Sequence, residues 1–167
     1  FCDVENDTFS FDLEHMAKLH QDHPDIRLVF VTHLFGIPAP VNEFKKIIPN
    51  AFYIEDCCES QGAKIKNKKV GNFGIGGSFS FYWGHHMSTI EGGMITTNNK
   101  EFYNLCLLKR SHGLARELPE KKQKIYKKKY HNKNFKFLFL SDGFNLRSTE
   151  INAFLGILML KKINSWV

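Results

Sequence analysis

The residues able to do chemistry fall in three short stretches. Asp56 follows the apolar run Ala51-Phe-Tyr-Ile-Glu55, Ser78 and Ser80 sit beside Gly71, Gly74, Gly76 and Gly77, and the pair His85-His86 precedes Glu91-Gly92-Gly93. A carboxylate buried at the end of a strand needs a cation or a strong donor. A protonated pyridine nitrogen is one such partner, because an acid beside it keeps the ring cationic and strengthens it as an electron sink. The plainer reading of Asp56 is a loop cap. Small hydroxyls and free N–H groups beside glycines suit a phosphate, although such glycines also simply make turns. Histidine suits a base that works near neutral pH. One metal ion rarely takes two adjacent histidines on an extended backbone, since their side chains point to opposite faces. A pair of turn histidines is the remaining alternative.

The elements that must position these residues read as alternating helices and strands. Phe11 to His23 has a helical pattern with Phe11, Met16 and Leu19 on one side, and Pro24 ends it. Arg27 to His33 reads as a buried strand, Val41 to Ile48 as a helix with Phe44, Ile47 and Ile48 inward, and Ala51 to Glu55 as a second strand. Strand, helix and strand within about 30 residues have the size of a βαβ unit. Further strands are expected over Ser78 to Trp83 and Met94 to Thr97, with Gly92-Gly93 turning the chain between them. Asn98 is expected to start a helix of about 13 residues, with Glu101 at the capping-box position and with Phe102, Leu105 and Cys106 on its apolar side. Gly113 would stop it. A last helix is expected from Ser148, with Ile151, Phe154, Leu155, Leu158 and Met159 forming a core or subunit-interface face. The fold class is α/β with a mainly parallel sheet.

Composition bounds the function. The 167 residues are 43% hydrophobic and 24% charged, enough for a packed core. No apolar run approaches the roughly 18–20 residues that span a bilayer. The net charge of +6 comes from residues 121–136, which hold eight Lys and no acid and leave 15 basic against 17 acidic residues elsewhere. Clustered Lys attracts phosphate. The preferred reading is a solvated surface insert, because no Arg or aromatic pattern for reading bases accompanies the run. Cys2, Cys57, Cys58 and Cys106 include no CxxC pair, and no metal site is read from them. Reduced thiols fit a cytoplasmic protein. The chain opens on Phe1 and stops inside an expected helix, which reads as a segment of a longer protein.

Taken in order, His33-Leu-Phe-Gly36, Glu55-Asp-Cys-Cys-Glu-Ser-Gln-Gly-Ala63, Val70-Gly71, Phe73-Gly74, Phe79-Ser-Phe-Tyr82, Glu91-Gly-Gly93, Arg110-Ser-His-Gly113 and Gly143-Phe-Asn-Leu-Arg147 form a specific series. Together they resemble the DegT/DnrJ/EryC1/StrS family of pyridoxal 5′-phosphate (PLP) enzymes, which act on nucleotide-linked keto sugars. The resemblance covers nearly the whole chain apart from the Lys-rich insert. It implies the aspartate aminotransferase (type I) fold, with residues 1–167 forming part of the PLP-binding large domain. The family's upstream phosphate-binding turn, its stacking aromatic residue and its C-terminal small domain have no counterpart in the sequence.

The family's aminotransferases carry, where this chain has His85, a Lys that binds the cofactor covalently. A His there, in a His-His pair before Glu-Gly-Gly, is similar to the sugar 3-dehydratase branch. An iron–sulfur branch also bears His, but its cluster cysteines lie downstream, where this chain has only Cys106. The resemblance implies that Asp56 pairs with the pyridine nitrogen, Glu59 lies near the ring hydroxyl and Ser80 holds the phosphate. His85 would be the base. Asn145 would reach the phosphate of a neighbouring subunit's cofactor, implying a homodimer. Glutamate would convert PLP to pyridoxamine 5′-phosphate (PMP), and the 3-hydroxyl of a 4-keto-6-deoxy sugar would then be removed. Two other readings stand beside it: another reaction within the same family, and a non-catalytic or incomplete protein that binds polyanions through residues 121–136.

Overall fold

In the computed structural model, which describes residues 1–166, the chain forms two compact units. The first comprises residues 1–97 and the stretch from Glu150 onward; the second comprises residues 98–149. The elements of the first unit are α1 (Leu13–Asp22), β1 (Leu28–Thr32), a single 3-10 turn (Leu34–Gly36), α2 (Val41–Ile47), β2 (Phe52–Asp56), β3 (Lys64–Ile65), β4 (Lys68–Lys69), β5 (Gly76–Ser80) and β6 (Gly93–Thr96). The second unit carries α3 (Lys100–Arg110) and α4 (Glu120–Lys129), and the chain returns to the first unit with α5 (Glu150–Leu160).

The four-stranded sheet has the order β1-β2-β5-β6. β1, β2 and β5 run parallel and β6 antiparallel, so the expected mainly parallel sheet forms. β1, α2 and β2 are the expected βαβ unit. Its register sets Thr32 opposite Asp56, and Asp56 is in turn opposite Ser78. The carboxyl ends of three parallel strands therefore stand level, with Ser80 two residues further on.

One sheet face is packed. Val29 and Val31 of β1 and Tyr53 of β2 bury against Met16 of α1 and against Val41, Phe44 and Ile48. Tyr53 also donates its hydroxyl hydrogen to the carbonyl of Phe44 (2.8 Å), which accepts the Ile48 N–H as well, or to that of Ile48 (2.9 Å) just past the end of α2. Burial pushes the Tyr53 phenol up to about 12. On the opposite face Leu28, Phe30 and Phe52 are each more than half exposed.

Four expectations are corrected. β5 begins at Gly76 and ends at Ser80, so the aromatic stretch 81–83 lies beyond it. The early start needs glycine: a Cβ on Gly77 would stand 2.5 Å from the Gly71 Cα. α3 is capped by Asn99, whose Oδ1 accepts the N–H groups of Glu101 and Phe102, so Glu101 falls one position short of a capping box. The buried residue of α3 is Leu107, whereas Leu105 is 46% exposed. The Lys-rich insert keeps its expected solvated surface position, with no buried residue, and is partly helical as α4. On α5, Ile151, Phe154 and Leu158 are exposed, so of the two expectations for this apolar face, core or subunit interface, the core is not formed among the described residues.

Candidate active site

The end of β2 divides two adjacent carboxylates. Side chains alternate across a strand, so Tyr53 and Glu55 face inward and are buried while Asp56 is half-buried. Glu55 is fully enclosed. Its Oε2 meets His33 Nε2 at 3.1 Å and accepts the Gly71 N–H at 2.7 Å; its Oε1 accepts the N–H groups of Phe73 (2.5 Å) and Gly74 (2.6 Å). Burial alone would raise its pKa. The His33 hydrogen bond and the three N–H groups outweigh that and hold it below the ordinary carboxylate value. The glycine-rich N–H groups that suited a phosphate are therefore committed to a carboxylate of the protein itself. Gly74 is needed there, since a Cβ would lie 2.0 Å from the Tyr53 carbonyl oxygen.

His33, Glu55 and Cys57 also present three potential ligand atoms within 4.8 Å of one another. Two of the three are committed to hydrogen bonds within the protein: Glu55 as above, and His33, whose Nδ1 accepts the Ala39 N–H at 2.9 Å, so that the ring proton sits on Nε2 and points at Glu55. Burial, followed by the charges of Glu55 and Asp56, pushes the Cys57 thiol up.

Asp56 Oδ1 accepts the Cys58 N–H at 3.0 Å, as a loop cap does. Burial, then Asp56, push the Cys58 thiol up to about 11. Ser80 closes β5; its hydroxyl accepts the Tyr82 N–H at 3.2 Å and its carbonyl accepts the Gln61 side-chain N–H at 2.6 Å.

The chain then turns through residues 81–87 instead of continuing as a strand, and this brings both histidines to one place. A pocket of about 520 Å³ is lined by Phe35, Glu59, Tyr82, Gly84, His85 and His86, within the usual range for small-molecule sites. The argument that adjacent histidines face apart applied to an extended backbone, which residues 85 and 86 do not have. His85 is half-buried, and its ring meets the Tyr82 ring edge-on with centroids 5.9 Å apart. Glu59 Oε2 accepts the Phe35 N–H at 2.8 Å. Phe35 itself stands at φ +53°, a conformation which non-glycine residues rarely adopt.

Of the expected site residues, the pocket unites Glu59 and His85. Asp56 and Ser80 stand at the ends of paired strands β2 and β5 and are not among the lining residues. Asn145 lies in the second unit, exposed, where it bridges to Ser111 and its Oδ1 accepts the Arg147 Nε–H at 3.2 Å. Sequence reasoning assigned no role to Phe35, Tyr82 or Gln61. A carboxylate at a strand end, a hydroxyl at the next strand end, and an imidazole with a second carboxylate beyond them match the needs of PLP: an acid for the pyridine nitrogen, a donor for the phosphate and a base.

Comparisons with known proteins agree. The chain is 34% identical to the GDP-4-keto-6-deoxy-D-mannose 3-dehydratase of Escherichia coli O55:H7, over 100% of this chain and 43% of that protein. It is 29% identical to the GDP-perosamine synthase of Escherichia coli O157:H7, over 100% of this chain and 41% of that protein. A crystal structure of GDP-4-keto-6-deoxymannose-3-dehydratase with a trapped PLP-glutamate geminal diamine superposes with a TM-score of 0.82 at 34% identity, covering 98% of this chain and 42% of that one. The chain thus spans less than half the length of the relatives it matches and shares the fold of a PLP enzyme. The model of the DegT/DnrJ/EryC1/StrS aminotransferase family matches residues 1–167, and the chain belongs to that family.

Proposed function

We propose that this chain is part of the PLP-binding large domain of a cytoplasmic, homodimeric dehydratase that removes the 3-hydroxyl of a nucleotide-linked 4-keto-6-deoxy sugar. The observation that carries the reading is that His85 lines one pocket with Glu59; the family resemblance sets this His where the aminotransferases use Lys. When bound, PMP supplies an amine for the C4 ketone and a ring that stores carbanion charge. Asp56 keeps the pyridine nitrogen protonated, Ser80 binds the phosphate and Glu59 sits near the ring hydroxyl. Asn145 serves the phosphate site of the neighbouring subunit. His85 would take a proton at the cofactor's C4′ as the sugar loses its 3-hydroxyl. An imidazole forms no covalent link to the cofactor's aldehyde. His85 would therefore leave a bound cofactor unattached, and glutamate could serve as the amino donor.

The similarity to GDP-perosamine synthase supports a second reading, transfer of the amine to the sugar. Incubating the full-length protein with a nucleotide-linked 4-keto-6-deoxy sugar and glutamate separates the two. Dehydration yields ammonia, 2-oxoglutarate and a 3-deoxy keto sugar; accumulation of a stable amino sugar overturns the dehydratase.

A further inference from the structure

We infer that Gln61 is a positioning residue that fixes the turn carrying His85. The inference rests on the reading of His85 as the base. Gln61 follows the segment with Asp56 and Glu59, and only 5% of it is exposed. Its Nε2 donates to the Ser80 carbonyl at 2.6 Å, and its Oε1 accepts the Met87 N–H at 2.8 Å. A carbonyl only accepts and an N–H only donates, so these two partners fix which way the amide points.

Ser80 and Met87 bracket residues 81–86. One buried side chain therefore grips both stems of the turn that holds His85 and His86, and couples them to the segment holding Asp56 and Glu59. Within the turn, the His85 N–H donates to the Tyr82 carbonyl at 3.1 Å, which shapes the turn but does not attach it to β2. Glu59 and His85 line the same pocket from opposite sides of this junction. A base displaced by about 1 Å can lose about a hundredfold in rate, so a grip of this kind bears on catalysis without touching the reacting atoms.

The test compares the full-length wild-type holoenzyme with Gln61→Leu and with Gln61→Met, which fills similar volume without hydrogen-bonding at either end. Amide hydrogen exchange is followed in peptides covering 81–90, 28–32 and 52–56, alongside kcat and KM for whichever sugar reaction the wild-type protein catalyses. Two lost buried hydrogen bonds should speed exchange at Met87 and its neighbours by about tenfold or more. β1 and β2 should stay unchanged, and kcat should fall about tenfold while KM moves less than about threefold. Three results would overturn the inference in a variant that folds: unchanged exchange at 81–87, exchange rising equally in β1 and β2, or a loosened turn with wild-type kcat. A wild-type protein that releases no ammonia would sink the dehydratase reading alone, since exchange and kcat judge Gln61 in whatever reaction is found.

Discussion

His33 with Glu55, and His85 with Glu59, are two histidine–carboxylate sets built from the same residue types and put to opposite uses. His33 and Glu55 are both fully enclosed. Both ring nitrogens of His33 are engaged, and Glu55 takes three backbone N–H groups besides. Nothing is left over to bind or to react. His85 and Glu59 line a pocket instead; Glu59 holds the Phe35 N–H, and His85 has Tyr82 edge-on. Residue type tells little about role until the partners are counted. A saturated buried network fixes structure, whereas a polar pair facing an open cavity is available for chemistry.

The largest expected effect breaks the pocket side. Removal of a general base typically costs about 10²–10⁴ in rate. His85→Asn should lower kcat for dehydration by about a thousandfold and leave the unfolding midpoint within about 2 °C of wild type. His85→Lys should lose dehydration as severely and gain a covalent bond to the cofactor, read as a mass increase after borohydride reduction. Either variant retaining wild-type dehydration would remove His85 from the mechanism.

The next effect belongs to the enclosed set. Glu55→Ala leaves a neutral buried imidazole and three backbone donors without their acceptor, and since each unmet buried donor costs about 1–3 kcal/mol, a loss of about 3 kcal/mol or more is expected. Denaturant unfolding would measure it, and a loss under about 1 kcal/mol would show that the network is dispensable. The pH dependence has a definite sign. Glu55 is held below its unfolded value in the native protein, so its contribution is complete above that unfolded value, near 4.5. It is lost as pH falls through the lower native value. The acid-side decline of stability should therefore be shallower in Glu55→Ala than in wild type.

This contrast was only partly readable in the sequence. β1, α2 and β2 were legible because a β-branched run, an amphipathic stretch and a second apolar run fit one βαβ unit. The period of two then carries a signal that was overlooked: if Tyr53 faces the core, so does Glu55, and Asp56 must face the other way. The sequence reading puts the buried carboxylate at Asp56, and the structure puts it at Glu55. Gln61 had no such signal, since its partners Ser80 and Met87 lie 19 and 26 residues on, across a strand and a turn. Nor did the spacing of α5 reveal what would cover Ile151 and Phe154; helical spacing marks a face as apolar without naming its neighbour. The turn at 81–87 failed for a local reason. Alternating small and aromatic residues favour a strand, but β2 ends at Asp56, opposite Ser78, so beyond that point β5 is paired by β6 alone, as far as Ser80 opposite Gly93.

The smallest expected effect is the sharpest comparison. Glu→Gln is nearly isosteric and exchanges a charged acceptor for a neutral amide. At Glu55 each carboxylate oxygen accepts hydrogen bonds, and an amide NH₂ would face backbone N–H groups at one of those positions. Glu55→Gln should therefore cost about 2 kcal/mol or more. At Glu59 the one structural demand is an acceptor for the Phe35 N–H, which an amide oxygen meets. Glu59→Gln should change the unfolding free energy by less than about 0.5 kcal/mol. Paired urea titrations of the two variants measure the difference. Equal losses would mean that Glu59 is as structural as Glu55, and that the pocket owes its shape to a charge rather than to a hydrogen bond.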